Sequence, residues 1–100
     1  MTMFTDPLDY YQAIADELVN VIPEKWTNIE IEAERFENSI DLMIVYFKPD
    51  ETEESRVRTQ RIPQYFFELA RVVSDESKGL YMKCFYFLDD KGDFKVDFEY

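Results

Sequence analysis

The segment NIEIEAE, residues 28–34, alternates polar and apolar side chains, and IDLMIVYF, residues 40–47, follows it after a short polar turn. A period of two predicts a strand with one buried face and one solvated face. The inward set is Ile29, Ile31 and Ala33, and the outward set is Glu30, Glu32 and Glu34. The second segment is apolar on both parities from Leu42 onward, which predicts a central strand covered on both sides.

Two amphipathic helices flank this pair of strands. Asp6-Pro7 opens the first, because an acceptor side chain precedes a proline at the first helical position, and the helix must stop before Pro23. Pro63 begins the second, and Lys78-Gly79 provides a cation and a left-handed cap at its end. The predicted buried face of the second helix is Tyr65, Phe66, Leu69, Ala70, Val72 and Val73.

Three further strands complete the predicted sheet. Residues 56–62 form the third, at the sheet margin after a solvated loop, and residues 80–88 and 94–100 form a hairpin around a glycine-bearing loop. The connections between strands are short, which favours antiparallel pairing. We therefore predict an α+β fold in which two helices cover one face of a five-stranded antiparallel sheet, in the order α-β-β-β-α-β-β. We expect residues 1–100 to form a single domain.

Two helices can cover only one face of such a sheet, so the other face needs a partner or a cover. The apolar residues predicted there are Met43, Val45 and Phe47 on the second strand and Tyr81, Phe85 and Phe87 on the fourth. An exposed apolar surface of this extent indicates an interface with a second copy or another protein. The alternative is that the first helix or the acidic loop folds over it.

The net charge of −11 lies wholly in residues 1–54, because residues 55–100 carry equal numbers of acids and bases. Such an asymmetry favours basic partners and repels nucleic acid and anionic lipid. Glutamates about 6.5–7 Å apart along one strand suit the basic side chains of a partner, although they could simply keep an edge solvated. The predicted partner-binding residues are Glu30, Glu32, Glu34, Glu37, Asp41, Asp50, Glu51, Glu53 and Glu54.

The commonest general base and metal ligand is absent from the sequence, so any catalysis would have to rest on carboxylates, tyrosine or lysine. There is no histidine, and Cys84, the single cysteine, alternates with predicted core residues and is interpreted as a buried thiol. The loop at residues 89–93 is too short for calcium, and paired carboxylates leave acid–base catalysis as a weak alternative. We expect no enzymatic activity, no cofactor and no metal. The acidic N-terminus and the lack of a long apolar run predict a cytoplasmic protein with no membrane partner.

Several short motifs occur in an order that is characteristic of one family. Residues 22–26, IPEKW, follow the first helix, Ile62-Pro63 precedes the second, and residues 92–100, GDFKVDFEY, end the chain. This ordered set resembles the YezG-like immunity proteins of bacterial polymorphic toxin systems. The resemblance implies a cytosolic protein that binds and neutralises a cognate toxin domain, in several family cases a nuclease. Within the motifs, Trp26 is expected to anchor the corner between helix and strand.

Two other functions remain open from the residues alone. An acidic mimic of nucleic acid could inhibit a DNA- or RNA-binding enzyme, with carboxylates in the place of phosphates. A small homodimeric scaffold could instead use the apolar residues Met43, Val45, Phe47, Phe85 and Phe87 as its interface.

Overall fold

The computed structural model describes residues 4–55, 57, 59–73 and 79–100 and confirms the predicted fold class. Within these residues, two helices and five strands occur in the predicted order, and the strands form one antiparallel sheet in the spatial order β3-β2-β1-β4-β5. The elements are α1 (Pro7–Val21), β1 (Asn28–Arg35), β2 (Ile40–Phe47), β3 (Glu53–Glu54), α2 (Arg61–Val72), β4 (Lys83–Asp89) and β5 (Phe94–Glu99).

The first helix has the ends that its sequence predicts. The Asp6 side chain accepts a hydrogen bond from the Leu8 amide at 2.9 Å, which satisfies one of the free donors of the first turn. The helix ends at Val21, and Ile22 is extended because Pro23 disfavours a helical residue before it. Its buried face, which packs into the core, is Tyr10, Ile14, Ala15 and Leu18.

The assignment of β2 as the central, doubly covered strand is wrong. The central strand is β1, and among the described residues β2 has at its outer side the two-residue β3, which pairs with Tyr46 and Phe47. Met43 of β2 is 62% exposed, so one face of the strand is open. The apolar residues on both parities of β2 therefore reflect an uncovered apolar surface rather than burial on both sides.

The prediction of a third strand at residues 56–62 is also wrong. Arg61 and the buried Ile62 belong to α2, and the strand that precedes this segment is the short pair Glu53–Glu54. Proline is tolerated anywhere in the first helical turn, so α2 begins two residues before Pro63. Within the predicted strand, residues 56 and 58 lie outside the described residues. So does Lys78 at the predicted helix end, whereas α2 ends at Val72.

One hydrophobic core fills the space between the helices and the covered face of the sheet. Tyrosines fasten the two layers together: the Tyr86 hydroxyl donates to the Tyr11 carbonyl of α1 at 2.9 Å, and the Tyr81 hydroxyl donates to the Phe66 carbonyl of α2. Tyr81 is thus buried in the core, and its predicted position on the sheet face opposite the helices is wrong. β4 begins only at Lys83, so strand alternation does not extend back to Tyr81.

Candidate functional site

The face of the sheet opposite the helices is the candidate site, and β1 shows how it arises. Ile29, Ile31 and Ala33 are buried beneath the helices, so the alternate glutamates point the other way. Directly paired residues share a face of an antiparallel sheet, which extends this assignment to the other strands. We call the following side chains the open face: Glu30, Glu32, Glu34, Asp41, Met43, Val45, Phe47, Glu53, Lys83, Phe85, Phe87, Lys95, Asp97 and Glu99.

Two glutamates lie between apolar neighbours at the middle of the open face. Glu30 is paired with Val45 on one side and with Phe87 on the other. Glu32 is similarly paired with Met43 and Phe85, whose side chains are exposed. These six side chains line a shallow hollow of about 330 Å³. We call Glu30, Glu32 and Glu34 the acidic row. The structure places this row beside most of the predicted apolar interface, on the same face of the sheet.

Charged residues occupy one end of the open face. Glu34 is paired with Asp41 on β2 and with Lys83 on β4. The Lys83 ammonium lies 3.6 Å from the Glu32 carboxylate, and both side chains remain well exposed. An exposed pair of this kind contributes roughly 0–1 kcal/mol and yields readily to a new partner. Lys83 thus leaves the acidic row available to cationic groups.

The remaining predicted partner-binding residues are spread over several parts of the molecule. Glu53 is paired with Phe47 at the margin of the open face, whereas Glu54 is paired with Tyr46 and lies on the covered side. Glu37 is exposed in the β1–β2 turn. The other two, Asp50 and Glu51, lie in the β2–β3 loop.

The β2–β3 loop has a strained residue and a stabilising one side by side. Glu51 has a φ of 70°, in the left-handed region that side chains rarely adopt. Asp50 accepts hydrogen bonds from the hydroxyl and the amide of Thr52, at 2.6 and 3.1 Å. These bonds, the hydroxyl bond above all, lower the pKa of Asp50. The loop therefore holds Asp50 as a fixed carboxylate at the end of β2.

Residues from the second half of the chain also reach the open face. Lys95 is paired with Phe87, Asp97 with Phe85 and Glu99 with Lys83. The alternation of β5 was enough to predict that these side chains face outward. They were not predicted as partner-binding residues, because that prediction was based on net charge and residues 55–100 are neutral. Conversely, Asp9 and Asp16 of the acidic half are exposed on α1 in the other layer. The acidic half of the sequence therefore occupies both layers of the fold.

The connector at residues 22–26 has a structural role. The Tyr46 hydroxyl donates to the Glu24 carboxylate at 2.5 Å, and the Lys48 ammonium lies 3.2 Å from it. These two contacts, the tyrosine bond first, hold the pKa of Glu24 below its usual value. Trp26 is half-buried and packs against the core. These contacts thus hold the connector against the covered side of β2. No pattern in the sequence predicted this role for Glu24.

Cys84 lies on the covered face of β4 and is fully buried. Burial, with a smaller effect of the Asp97 charge, raises the pKa of its thiol to about 12. A nucleophilic cysteine needs the opposite shift, so the thiol is inert at neutral pH. Across the described ranges, no three cysteine or acidic side chains are grouped to hold a metal ion. No helix among the described residues is long and apolar enough to cross a membrane.

Comparison with models of protein families identifies a match over much of the chain. A family model described as "Immunity protein YezG-like" matches residues 8–67, which cover α1, β1, β2, β3 and the first half of α2. This span includes the acidic row and the β2 part of the open face. No curated protein matches the chain.

Proposed function

The chain belongs to the family of YezG-like immunity proteins, and we propose that it binds and neutralises a cognate toxin domain through the open face. One observation carries the proposal: Glu30 and Glu32 lie between apolar side chains, of which Met43 and Phe85 are exposed, on a sheet face that the helices do not cover. Such a surface offers charge for recognition and apolar area for affinity.

The charge of the open face favours a basic toxin surface, and we propose that the toxin is a nuclease. The substrate groove of a nuclease is lined with cationic side chains because it must hold phosphates. Carboxylates spaced about 6.5–7 Å apart on a strand can pair with several of these cations at once. Occupation of the groove by the open face would exclude the nucleic acid without any chemistry in the immunity protein.

The apolar residues of the open face are proposed to provide most of the binding energy. Met43 is 62% exposed and Phe85 is 39% exposed, so both have large areas left to bury. Apolar anchors near the middle of an interface account for most of its energy, whereas exposed charges mainly set the association rate. The hollow beside Glu30 and Glu32 is accordingly the proposed centre of the interface.

The two alternative functions fit the open face less well. A second copy would place one acidic row against another, and like charges in contact oppose association. A mimic of nucleic acid would present carboxylates in the place of phosphates, whereas the apolar side chains of Val45 and Phe87 directly flank Glu30. A mimic should also inhibit several unrelated nucleic-acid enzymes, while an immunity protein should protect against one toxin.

We propose further that the protein is cytoplasmic, not an enzyme, and acts as one domain. The absence of histidine and the inert Cys84 thiol support a binding role. The single core, to which both helices and all the longer strands contribute, supports one domain.

Co-expression tests the function directly. The gene would be expressed together with the toxin domain encoded beside it, and cell survival and copurification of the two proteins would be measured. We expect survival and a stable complex. Continued cell death with the toxin domain, despite soluble immunity protein, would contradict the proposal.

Charge reversal tests the proposed surface. The triple variant Glu30→Lys, Glu32→Lys, Glu34→Lys should slow association with the toxin domain by about 10–100-fold and flatten its salt dependence. The matched control reverses three exposed acids outside the open face, Asp9, Asp16 and Asp90. Equal slowing in both variants would show that net charge, rather than the open face, governs binding.

A further inference from the structure

The hollow at the middle of the open face has apolar sides and two carboxylates along its middle. Strand β1 runs between β2 and β4, and its Glu30 and Glu32 are about 6.5–7 Å apart along the strand. Residues of β2 form one side of the hollow, and the rings of Phe85 and Phe87 on β4 form the other. Any group that enters the hollow therefore meets apolar surface and negative charge together.

The size of the hollow suits one long side chain of a partner. Its volume is about 330 Å³, whereas a single turn of helix occupies roughly 400 Å³ or more. A helix could lie across the hollow but could not enter it. An apolar side chain would strip water from Glu30 and Glu32 without giving them new partners, which costs free energy. The side chain that fits must therefore combine an apolar stem with a cationic end.

The charges around the hollow also favour a cation. Acidic side chains outnumber the two lysines, Lys83 and Lys95, on the open face. The ammonium of Lys83 lies 3.6 Å from the Glu32 carboxylate, so this carboxylate already accepts a cationic neighbour. Within the part of the chain that the structure describes, no cation lies within ion-pair distance of Glu30. The hollow thus has one carboxylate in a weak pair and one that is available.

The aromatic side of the hollow favours arginine over lysine. Phe85 is 39% exposed, and Phe87 lies two residues along the same face of β4. A guanidinium group is planar and weakly hydrated, so it can stack on an aromatic ring while its edge donates hydrogen bonds to carboxylates. A lysine ammonium is compact and strongly hydrated, and it loses more hydration in an apolar site. The flexible side chain of Met43 can pack against the arginine stem from the β2 side.

We propose that the hollow receives one arginine side chain of the toxin domain, whose guanidinium group stacks on Phe85 and donates hydrogen bonds to Glu30 and Glu32. The inference rests on the proposed function, since it assigns the arginine to the toxin domain. The guanidinium group takes the place of Lys83 at the Glu32 carboxylate. A second copy of this chain is a poorer source of the arginine, because it would bring two net charges of −11 together.

Titration of the free protein tests the hollow without a toxin. The probe is N-acetyl-arginine amide at constant ionic strength, followed by the NMR signals of the Met43 methyl group and the Phe85 ring. We expect saturable shifts with a Kd of about 10–50 mM, which is typical of a single small group on an open surface. The corresponding lysine amide should bind at least about threefold more weakly, and the neutral citrulline amide should not bind. Equal binding of the lysine amide, or shifts that stay linear up to about 200 mM arginine amide, would overturn the proposal.

Isosteric variants test whether the two carboxylates hold the arginine amide. Glu30→Gln and Glu32→Gln each remove one charge with little change of shape, and each should weaken binding by about fivefold. Glu34→Gln is the matched control, because it removes the same charge from the same face of β1 outside the hollow. It should weaken binding by less than about twofold. Equal weakening by all three variants would show a diffuse effect of charge and would overturn the proposal.

Lys83 provides a test of opposite sign. Lys83→Met removes the cation that competes for Glu32 and should strengthen binding of the arginine amide by about two- to fivefold. Lys95→Met is the matched control, since it removes the same charge from the open face and Lys95 forms no ion pair with the described residues. Equal strengthening by the two variants would overturn the exchange of cations at Glu32.

The complex with the toxin domain separates this inference from the proposed function. If the toxin domain is neutralised, each of its exposed arginines would be replaced by lysine in turn. One replacement should weaken the complex by about tenfold or more, and this loss should disappear when the immunity protein carries Glu30→Gln and Glu32→Gln. A neutralising complex that no arginine replacement weakens would overturn the arginine contact and leave the proposed function intact. If the toxin domain is not neutralised, the proposed function fails, and binding of the arginine amide alone would not rescue the assignment to a toxin.

Discussion

The alternation of polar and apolar residues over positions 28–34 gives β1 two faces, one covered by the helices and one exposed to solvent. Ile29, Ile31 and Ala33 are at most 2% exposed beneath the helices, whereas Glu30, on the opposite face, is exposed. The covered face is closed by tyrosine hydroxyls that bond to helix carbonyls. The open face has exposed apolar side chains and, as far as the described residues show, one weak ion pair.

This contrast shows how one small sheet can separate folding from recognition. Residues that hold the fold together occupy one parity of each long strand, and residues proposed to bind the toxin domain occupy the other. Substitutions should therefore fall into two classes, even when the two residues are close together in the sequence. The following predictions test that separation, beginning with the largest effect.

Truncation of single side chains in β4 should distinguish the two faces. Leu88→Ala, at a position 1% exposed on the covered face, should lower the free energy of unfolding by about 2–5 kcal/mol through lost burial and a residual cavity. Phe85→Ala, at a position 39% exposed on the open face, should cost about 1 kcal/mol or less but weaken binding to the toxin domain. Urea denaturation and binding titration would measure both effects. Similar losses of stability in the two variants would refute the separation.

Alkaline pH should weaken the covered face selectively. Burial raises the pKa of Tyr11 to about 12, and the hydrogen bond to Glu24, aided by burial, raises that of Tyr46 to about 12. Burial also raises the pKa values of Tyr81 and Tyr86. These phenols bind their protons more tightly in the folded protein than in the unfolded chain. Their contribution is therefore complete below the unfolded pKa of about 10 and is lost as the pH rises through the folded values.

The expected loss is about 1.4 kcal/mol per pH unit for each tyrosine that ionises only on unfolding. Urea denaturation followed by circular dichroism between about pH 9 and 12 would measure it. The variant Tyr46→Phe lacks one such group, so its free energy of unfolding should fall less steeply with pH than that of the parent protein. An unchanged slope in the variant, or constant stability of the parent protein, would contradict the assignment of these pKa values to the covered face.

Substitutions in the β2–β3 loop should change the free energy of unfolding least, and the changes should have opposite signs at two neighbouring residues. Glu51→Gly should raise the free energy of unfolding by about 0.5–1 kcal/mol, because glycine adopts a φ of 70° without steric strain. Asp50→Gly is the matched control, since it removes the same charge but also the bonds to Thr52, and it should lower stability. Thermal denaturation would measure both. Stabilisation by Asp50→Gly would show that the loop conformation does not depend on these bonds.

Local patterns in the sequence were enough to predict the elements whose signals are confined to a few residues. The capping residues predicted the ends of α1, and the alternation of polar and apolar residues predicted β1. Both signals depend on nearby residues only. The position of each strand within the sheet could not be predicted from such local patterns, because it depends on residues far apart in the sequence. Strand β2 is apolar on both parities, yet only the exposure of Met43 in the folded protein shows that one of its faces is uncovered.

The candidate site was predicted in part for the same reason. Side-chain parity placed Glu30, Met43 and Phe85, but not Tyr81, which precedes β4 and is directed into the core. Glu24 was missed because its partners, Tyr46 and Lys48, are more than twenty residues away.

The alternation of β1 has a consequence for the way such a protein can diversify. Each codon for an open-face residue is followed by one for a core residue, so binding specificity can drift at every second position while the scaffold stays intact. A lineage that meets a succession of different toxins could therefore change which toxin its immunity protein binds while it keeps the same fold.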